Sequence, residues 1–198
     1  MNASPSSLTF MAFLAAYLAI RGVFIRRTRR AKAVSKNDLR DRLLVLTMGL
    51  GQVVLPFIFV TRPLLAVADR AQPFACLVLG ALAMAAGLWL FWRSHADLGD
   101  SWSVTLELNA DHRLVTRGVY RFVRHPMYLS FVVLGIGQAL LLANWIAGFA
   151  GLAATALLVA VRLSHEEAMM MEAFGDEYRD YMRRTGRILP RLRPASTV

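Results

Sequence analysis

The apolar residues of this chain gather into blocks long enough to cross a lipid bilayer, and that grouping restricts its architecture more than any single motif. A spanning helix needs about 20 mostly apolar residues. The blocks 8–25, 43–60 and 74–92 each approach that length. The run 127–163 has room for two spans and is interrupted near its middle only by Asn144-Trp145. Asparagine favours turns and its amide is unfavourable at mid-bilayer, so the run predicts a tight hairpin of helices 127–143 and 145–163. With 57% hydrophobic and 18% charged residues, the 198-residue chain is too apolar for an ordinary soluble domain. The expectation is an all-α integral membrane protein of five transmembrane helices, folded as a single domain over 1–198.

A formal charge of +10 suggests nucleic acid until its distribution is considered. Between the first two spans, Arg26, Arg27, Arg29, Arg30, Lys32, Lys36, Arg40 and Arg42 face only Asp38 and Asp41. The loop 61–73 carries only Arg62, Asp69 and Arg70, and residues 1–9 carry no charged side chain. Lys and Arg collect on the cytoplasmic side of a membrane. This puts the amino terminus outside, and the basic loop, segment 93–126 and the tail in the cytoplasm. The basic loop then serves topology and anionic-lipid contact, with no nucleic acid partner expected. The first span lacks a basic leader and a small-residue cleavage site, so it reads as a retained helix. Cys76 stands alone, which excludes a disulfide within the chain and a cysteine metal site. It is expected as a packed core thiol.

Two polar clusters break this apolar background. One is Leu114-Val115-Thr116-Arg117-Gly118-Val119-Tyr120-Arg121-Phe122-Val123-Arg124-His125-Pro126-Met127-Tyr128, and the other is Arg162-Leu163-Ser164-His165-Glu166-Glu167. The predicted hairpin returns both to one membrane face. Pro126 suits the first turn of a helix, which places Arg124 and His125 at a helix amino terminus that favours anionic groups. A headgroup-reaching Arg124 and a capping His125 are the alternatives. Arg162 and Glu166 are spaced to pair on one helical face, whereas Glu167 points about 100° away and can serve another partner. Ionisable residues at the end of a span are a functional candidate by default.

Between the clusters, Ser101–Leu108 and Asn109–His112 predict a short hairpin with Leu114-Val115-Thr116 as its returning strand. Trp102 either anchors the interface or lines a pocket mouth. The tail 162–184 reads as an amphipathic helix with Met171, Phe174, Tyr178 and Tyr181 on its apolar face. Gly175 marks a bend. This helix is expected to close a cavity at the cytoplasmic end of the bundle.

The arrangement Gly118-x-Tyr120-x4-His125-Pro126-x-Tyr128 resembles a signature block of the isoprenylcysteine carboxyl methyltransferase family, which includes phospholipid N-methyltransferases. The pattern Glu166-Glu167-x6-Phe174-Gly175-x2-Tyr178-x2-Tyr181 is similar to that family's second block, and the resemblance covers roughly 98–190. Where the family often has glycine two residues after the motif tyrosine, this chain has Ser130, small enough for close helix packing. The resemblance implies an integral membrane enzyme with a cytoplasmic pocket for S-adenosylmethionine of non-Rossmann type, and five spans in a short chain suggest a prokaryotic inner membrane. The chain indeed has no strand-borne Gly-x-Gly-x-x-Gly. It further implies that Leu114, Val115, Gly118 and Tyr120 hold the adenosine. His125, Tyr128 and Glu166 would hold the methionine and ribose parts. Arg124 and Glu167 would stand at the acceptor carboxylate and the methyl-transfer centre, with S-adenosylhomocysteine as product.

The chemistry is compatible with those residues. Methyl transfer is an in-line displacement that asks the protein to align the acceptor and exclude water. A carboxylate acceptor is already ionised near neutral pH, and arginine can hold it in a planar fork. The expected partners are membrane lipids and a lipophilic acceptor, isoprenylcysteine-like or otherwise. The alternatives are amine methylation of a phospholipid, which needs a base such as Glu167, and a non-enzymatic membrane scaffold.

Overall fold

The computed structural model describes residues 4–28, 39–99 and 114–191. They form α1 (Pro5–Thr28), α2 (Leu39–Gly49), α3 (Leu55–Thr61), α4 (Phe74–Leu98), α5 (Pro126–Leu141) and α6 (Trp145–Arg184). A π-helical turn, Leu50–Val54, joins α2 to α3, so that Leu39–Thr61 runs as one apolar rod. Among the described residues there is no strand, only isolated bridges. Pro5–Arg26, Leu39–Thr61, Phe74–Leu98 and Trp145–Arg184 are each long and apolar enough to cross a bilayer. The protein is an all-helical integral membrane protein.

Helix α5 is the exception in length. Its 16 residues reach only about 24 Å, less than the ~30 Å of a hydrocarbon core. It is also the most enclosed helix, packed between α4 and α6, while α1 lies on α4 and the α2–α3 rod lies on α6. The core joins Phe10 and Leu14 of α1 to Phe91 of α4, Phe131 and Leu134 of α5 and Leu158 of α6. Leu46, Phe57, Leu82, Trp89 and Leu157 are exposed on the outer faces, where a bilayer rather than water is the matching solvent. Inside the bundle, the Gln138 Nε2 donates to the carbonyls of Gly51 at 2.9 Å and Ala147 at 2.7 Å. One amide thereby links α5 both to α6 and to the π turn. Ser130 is fully buried and donates to the Met127 carbonyl at 2.6 Å.

The hairpin expected at Asn144-Trp145 is present. Helix α5 ends at Leu141, Asn144 caps α6 by accepting from the Ala147 N–H at 2.9 Å, and Trp145 is the first helical residue. The free carbonyls at the end of α5 are satisfied from the opposite loop. Arg70 donates to Ala139 and Leu142, and Gln72 to Leu140 and Leu141. Asn144 Nδ2 completes this closure with bonds to the Leu65 carbonyl and the Asp69 carboxylate.

Several expectations are corrected or fall elsewhere. Leu114, Val115 and Thr116 form irregular backbone rather than a strand, since the short turn that follows is fastened to helix ends and not to a sheet. Cys76 is half-buried near the start of α4 rather than packed in the core. The basic stretch 29–38 and the segment 100–113, with Trp102, lie outside the described residues. The bend at Gly175 is real, with φ +51 interrupting α6. The helix before it is continuous from the apolar part, 145–163, into the charged extension.

Candidate active site

The first wall of the site is a turn fastened to the end of α4. Gly118 has φ +61, a conformation open to glycine and strained for other residues. A side chain here would also run into the Asp97 carboxylate. Asp97 Oδ2 accepts from the Val119 N–H at 2.9 Å, and its Oδ1 accepts from Arg93 at 2.6 Å. The carboxylate thus caps the short 3-10 turn Gly118–Arg121. Tyr120 is buried, donates to the Ser94 carbonyl at 3.2 Å, and offers its own carbonyl to the Tyr181 hydroxyl at 2.6 Å. Burial, reinforced by the nearby Glu166 charge, pushes the Tyr120 hydroxyl well above the usual tyrosine range. It remains a neutral donor.

The second wall is where α5 begins. His125 is the residue before the helix and Pro126 occupies its first turn, so the proline's missing N–H leaves no bond unmade. Two carboxylates from α6 meet this helix start. Glu166 Oε2 accepts from the Tyr128 hydroxyl at 2.7 Å, with His125 Nδ1 at 3.7 Å. Glu167 Oε1 lies 3.0 Å from both Nε and Nη2 of Arg124 and 3.2 Å from His125 Nε2. The His125 ring stacks on Tyr128 with centroids 5.6 Å apart. The adjacent glutamates thus reach Tyr128 and Arg124 respectively, in keeping with their angular separation on a helix, and share His125 through its two ring nitrogens.

The cover comes from the tail. Beyond the break at Gly175, Tyr178 and Tyr181 are buried and the chain bends back over the turn. Arg124 Nη1 donates to the carbonyls of Met182 at 3.2 Å and Thr185 at 2.6 Å. The backbone then runs beside the start of α5 as an isolated parallel bridge between Val123 and Gly186. Arg124 N–H donates to the Gly186 carbonyl at 2.8 Å and His125 N–H to that of Arg187 at 3.1 Å. Arg187 Nε lies 2.9 Å from Glu167 Oε2.

Glu167 is the electrostatic centre. It lies past the apolar part of α6, and its side chain is 11% exposed. Burial alone would raise its pKa, but hydrogen bonds from His125 and Arg124, with the Arg124 charge, hold it down to about 2. The carboxylate stays ionised at neutral pH.

Of the residues expected from sequence, Arg124, His125, Tyr128, Glu166 and Glu167 form one hydrogen-bonded group, with Gly118 and Tyr120 on the adjoining turn. Leu114 and Val115 are half-buried on the segment entering that turn. Arg162 is buried one helical turn before Glu166. Asp97 and Arg187 were not expected. Asp97 carries a faint signal, an acid four residues after Arg93 at the end of an apolar block. Arg187 carries none, because its partner is reached only by folding the tail back.

Comparison with known proteins finds similarity over the same stretch of chain. Residues 77–172 match the model of the isoprenylcysteine carboxyl methyltransferase (ICMT) family. A Schizosaccharomyces pombe protein-S-isoprenylcysteine O-methyltransferase is 32% identical over 106 residues, 52% of this chain and 45% of the relative. The Tribolium castaneum and Mus musculus proteins of that name are each 36% identical over 87 residues, 44% of this chain and 31% of theirs. The chain thus spans less than half the length of these curated relatives. A solved structure of the eukaryotic intramembrane Ras methyltransferase ICMT superposes with a TM-score of 0.55 at 20% identity, covering 95% of this chain and 68% of that one. The fold is shared along nearly the whole chain, and the matched stretch runs from α4 through the α5–α6 hairpin to both glutamates. Over residues 77–172 the chain resembles the isoprenylcysteine carboxyl methyltransferase family.

Proposed function

We propose that this protein transfers a methyl group from S-adenosylmethionine to a carboxylate of an isoprenylcysteine-like lipophilic acceptor, at the cytoplasmic face of a prokaryotic inner membrane. The observation that carries this reading is the meeting of Glu166 and Glu167 with Tyr128, His125 and Arg124 where α5 begins. The relatives' printed names, protein-S-isoprenylcysteine O-methyltransferase, support the acceptor class. The apolar blocks support five spans with the short α5 as the fourth, and the charge distribution supports an external amino terminus.

The donor set suits S-adenosylmethionine. The enclosed Glu167 carboxylate is ionised and already paired with Arg124 and Arg187, so it fixes the positions of those groups around a ligand. The Glu166–Tyr128 pair provides an acceptor and a hydroxyl for a polar one. When bound, this cofactor supplies an activated methyl group on a positively charged sulfur, leaving S-adenosylhomocysteine. Gly118 and Tyr120, with Leu114 and Val115 on the approach, border the adenosine. His125, Tyr128 and Glu166 hold its methionine and ribose parts. Arg124 and Glu167 form the charged pair at the transfer centre. The acceptor carboxylate is already ionised, so no side chain needs to take a proton from it. The chain's task is to orient the acceptor and, through the arm after Gly175, to keep water away.

The test combines binding and product chemistry. Detergent-solubilised protein is titrated with S-adenosylhomocysteine by calorimetry, and methyl transfer from labelled S-adenosylmethionine to N-acetyl-S-farnesylcysteine is followed. Binding, with a labelled product that loses its methyl in mild alkali, is the expected result. An alkali-stable product would instead mean amine methylation. Folded protein that does not bind the homocysteine would reduce the chain to a scaffold.

A further inference from the structure

The turn Gly118–Arg121 has an outward side that the proposed reaction does not use. The cations near it are already paired, Arg93 with Asp97, and Arg124 and Arg187 with Glu167. Arg117 and Arg121, at the two ends of the turn, are exposed and meet no carboxylate among the described residues. Phe122, the next residue, is 52% exposed, and the Arg121 guanidinium lies 4.4 Å from its ring centroid. The same pairing recurs on the helix beside it. Trp92 of α4 is exposed, and the Arg93 guanidinium lies 5.5 Å from its ring centroid. Arg93 donates to Asp97 at 2.6 Å and Asp97 accepts from the Val119 N–H, so Trp92 and the turn share one end of the bundle.

We propose that this outward side is a headgroup site for an anionic phospholipid, with Arg117 and Arg121 on the phosphate-bearing headgroup and Phe122 at the boundary of the acyl chains. Exposed aromatic side chains at the ends of spans settle where hydrocarbon gives way to headgroups. A guanidinium over the face of such a ring stands level with the lipid phosphates. Arginine binds phosphate well, but a zwitterionic headgroup carries an ammonium that opposes the attraction. An anionic headgroup carries none, and charge complementarity therefore selects it. The turn is also held in place before any lipid arrives. Asp97 caps it, Tyr120 donates to the Ser94 carbonyl at 3.2 Å, and the Tyr181 hydroxyl donates to the Tyr120 carbonyl at 2.6 Å. Side chains alone lose freedom on binding, which favours a defined site over a diffuse charged surface. The site is distinct in sequence from the basic stretch 26–42, and it stands whether or not the methyl-transfer reading does.

The test is native mass spectrometry of the full chain in detergent, titrated with phosphatidylglycerol and with phosphatidylcholine of the same acyl chains. Wild type is expected to bind phosphatidylglycerol more tightly. Each arginine near an anionic surface is worth about fivefold in affinity, so the double substitution Arg117→Gln, Arg121→Gln should weaken phosphatidylglycerol by roughly 25-fold. Phosphatidylcholine should stay within about twofold. Lysine at both positions should keep most of the preference, since the charge remains. Phe122→Ala should weaken both lipids alike, because the ring meets chains that both carry. The control Arg179→Gln, Arg183→Gln removes the same charge from arginines that already face Asp176 and Asp180, and should leave the preference intact. An unchanged preference in the Arg117, Arg121 variant overturns the proposal. An equal loss in the control also overturns it, by leaving net charge as the cause. Equal affinity of wild type for soluble glycerol phosphate would make this a site for a free phosphate and not for a lipid.

Discussion

Arg124 and Glu167 stand 43 positions apart in sequence, yet the Arg124 Nε lies 3.0 Å from the Glu167 carboxylate across the start of α5 and the extension of α6. Helices α5 and α6 run antiparallel through one capped turn, so the last polar residues before the first meet the first polar residues after the second. The contact joins two charges with little access to water, 8% and 11% exposed. Removing one partner from such a pair leaves the other uncompensated.

Glu167→Gln keeps the shape of the side chain and deletes its charge. Methyl transfer is expected to fall by about 100-fold or more, on the scale seen when a fixed electrostatic group is removed from a reaction centre. Stability should drop by about 1–3 kcal/mol, with helix content retained by circular dichroism. A variant that turns over at the wild-type rate would remove Glu167 from the centre.

Acid should have a similar effect on the native protein. The Glu167 pKa is lowered on folding, from 4.5 to about 2. A depressed carboxylate contributes stability that is fully present above pH 4.5 and is lost as the pH falls toward 2. Thermal melting in detergent at stepped pH should show this loss in wild type and a smaller one in Glu167→Gln. Identical acid profiles would show that the ion pairs around Glu167 contribute nothing to the fold.

Tyr128→Phe removes the hydroxyl that Glu166 accepts, and His125→Ala removes both the ring that stacks on Tyr128 and a donor to Glu167. Each is expected to weaken S-adenosylhomocysteine by about tenfold, the value of one hydrogen bond to a charged group. Dissociation constants that do not move would place the ligand elsewhere.

Gly118→Ala tests the first wall. A left-handed backbone costs an alanine about 1–2 kcal/mol, and the new methyl would also displace Asp97. The variant should lose both stability and S-adenosylhomocysteine affinity. In an Asp97→Ala background the further loss should be smaller, because the obstructing carboxylate is gone. Strict additivity of the two changes in denaturation would show that they are not coupled.

Much of this arrangement was legible in the chain itself. Apolar blocks located the helices, because a bilayer imposes a length that composition must satisfy. Asn144 announced the hairpin, because its amide is unfavourable at mid-bilayer and suits a helix cap, and Gly175 the break in α6, because its left-handed backbone favours glycine. Helical angle accounted for Glu166 turning to Tyr128 and Glu167 to Arg124, but not for the His125 ring that they share. Asp97 and Arg187 were not legible for a common reason. Each works through a contact between segments far apart in sequence, Asp97 with the Val119 N–H and Arg187 with Glu167, and no local periodicity encodes such a meeting. The π turn Leu50–Val54 escaped notice because hydropathy reports that a rod is apolar, not how it is wound.

The break at Gly175 gives a single polypeptide rod two jobs. Were α6 straight, the residues after it would project roughly 13 Å further into the aqueous phase. Bent as they are, they rest on Tyr120 and Arg124, while the same rod presents Leu157 to the acyl chains. Lipids that alter bilayer thickness change the tilt of such a rod. The carboxylates, the arm that covers them and the face that meets lipid are thereby parts of one helix, so a change of tilt carries cover and carboxylates together.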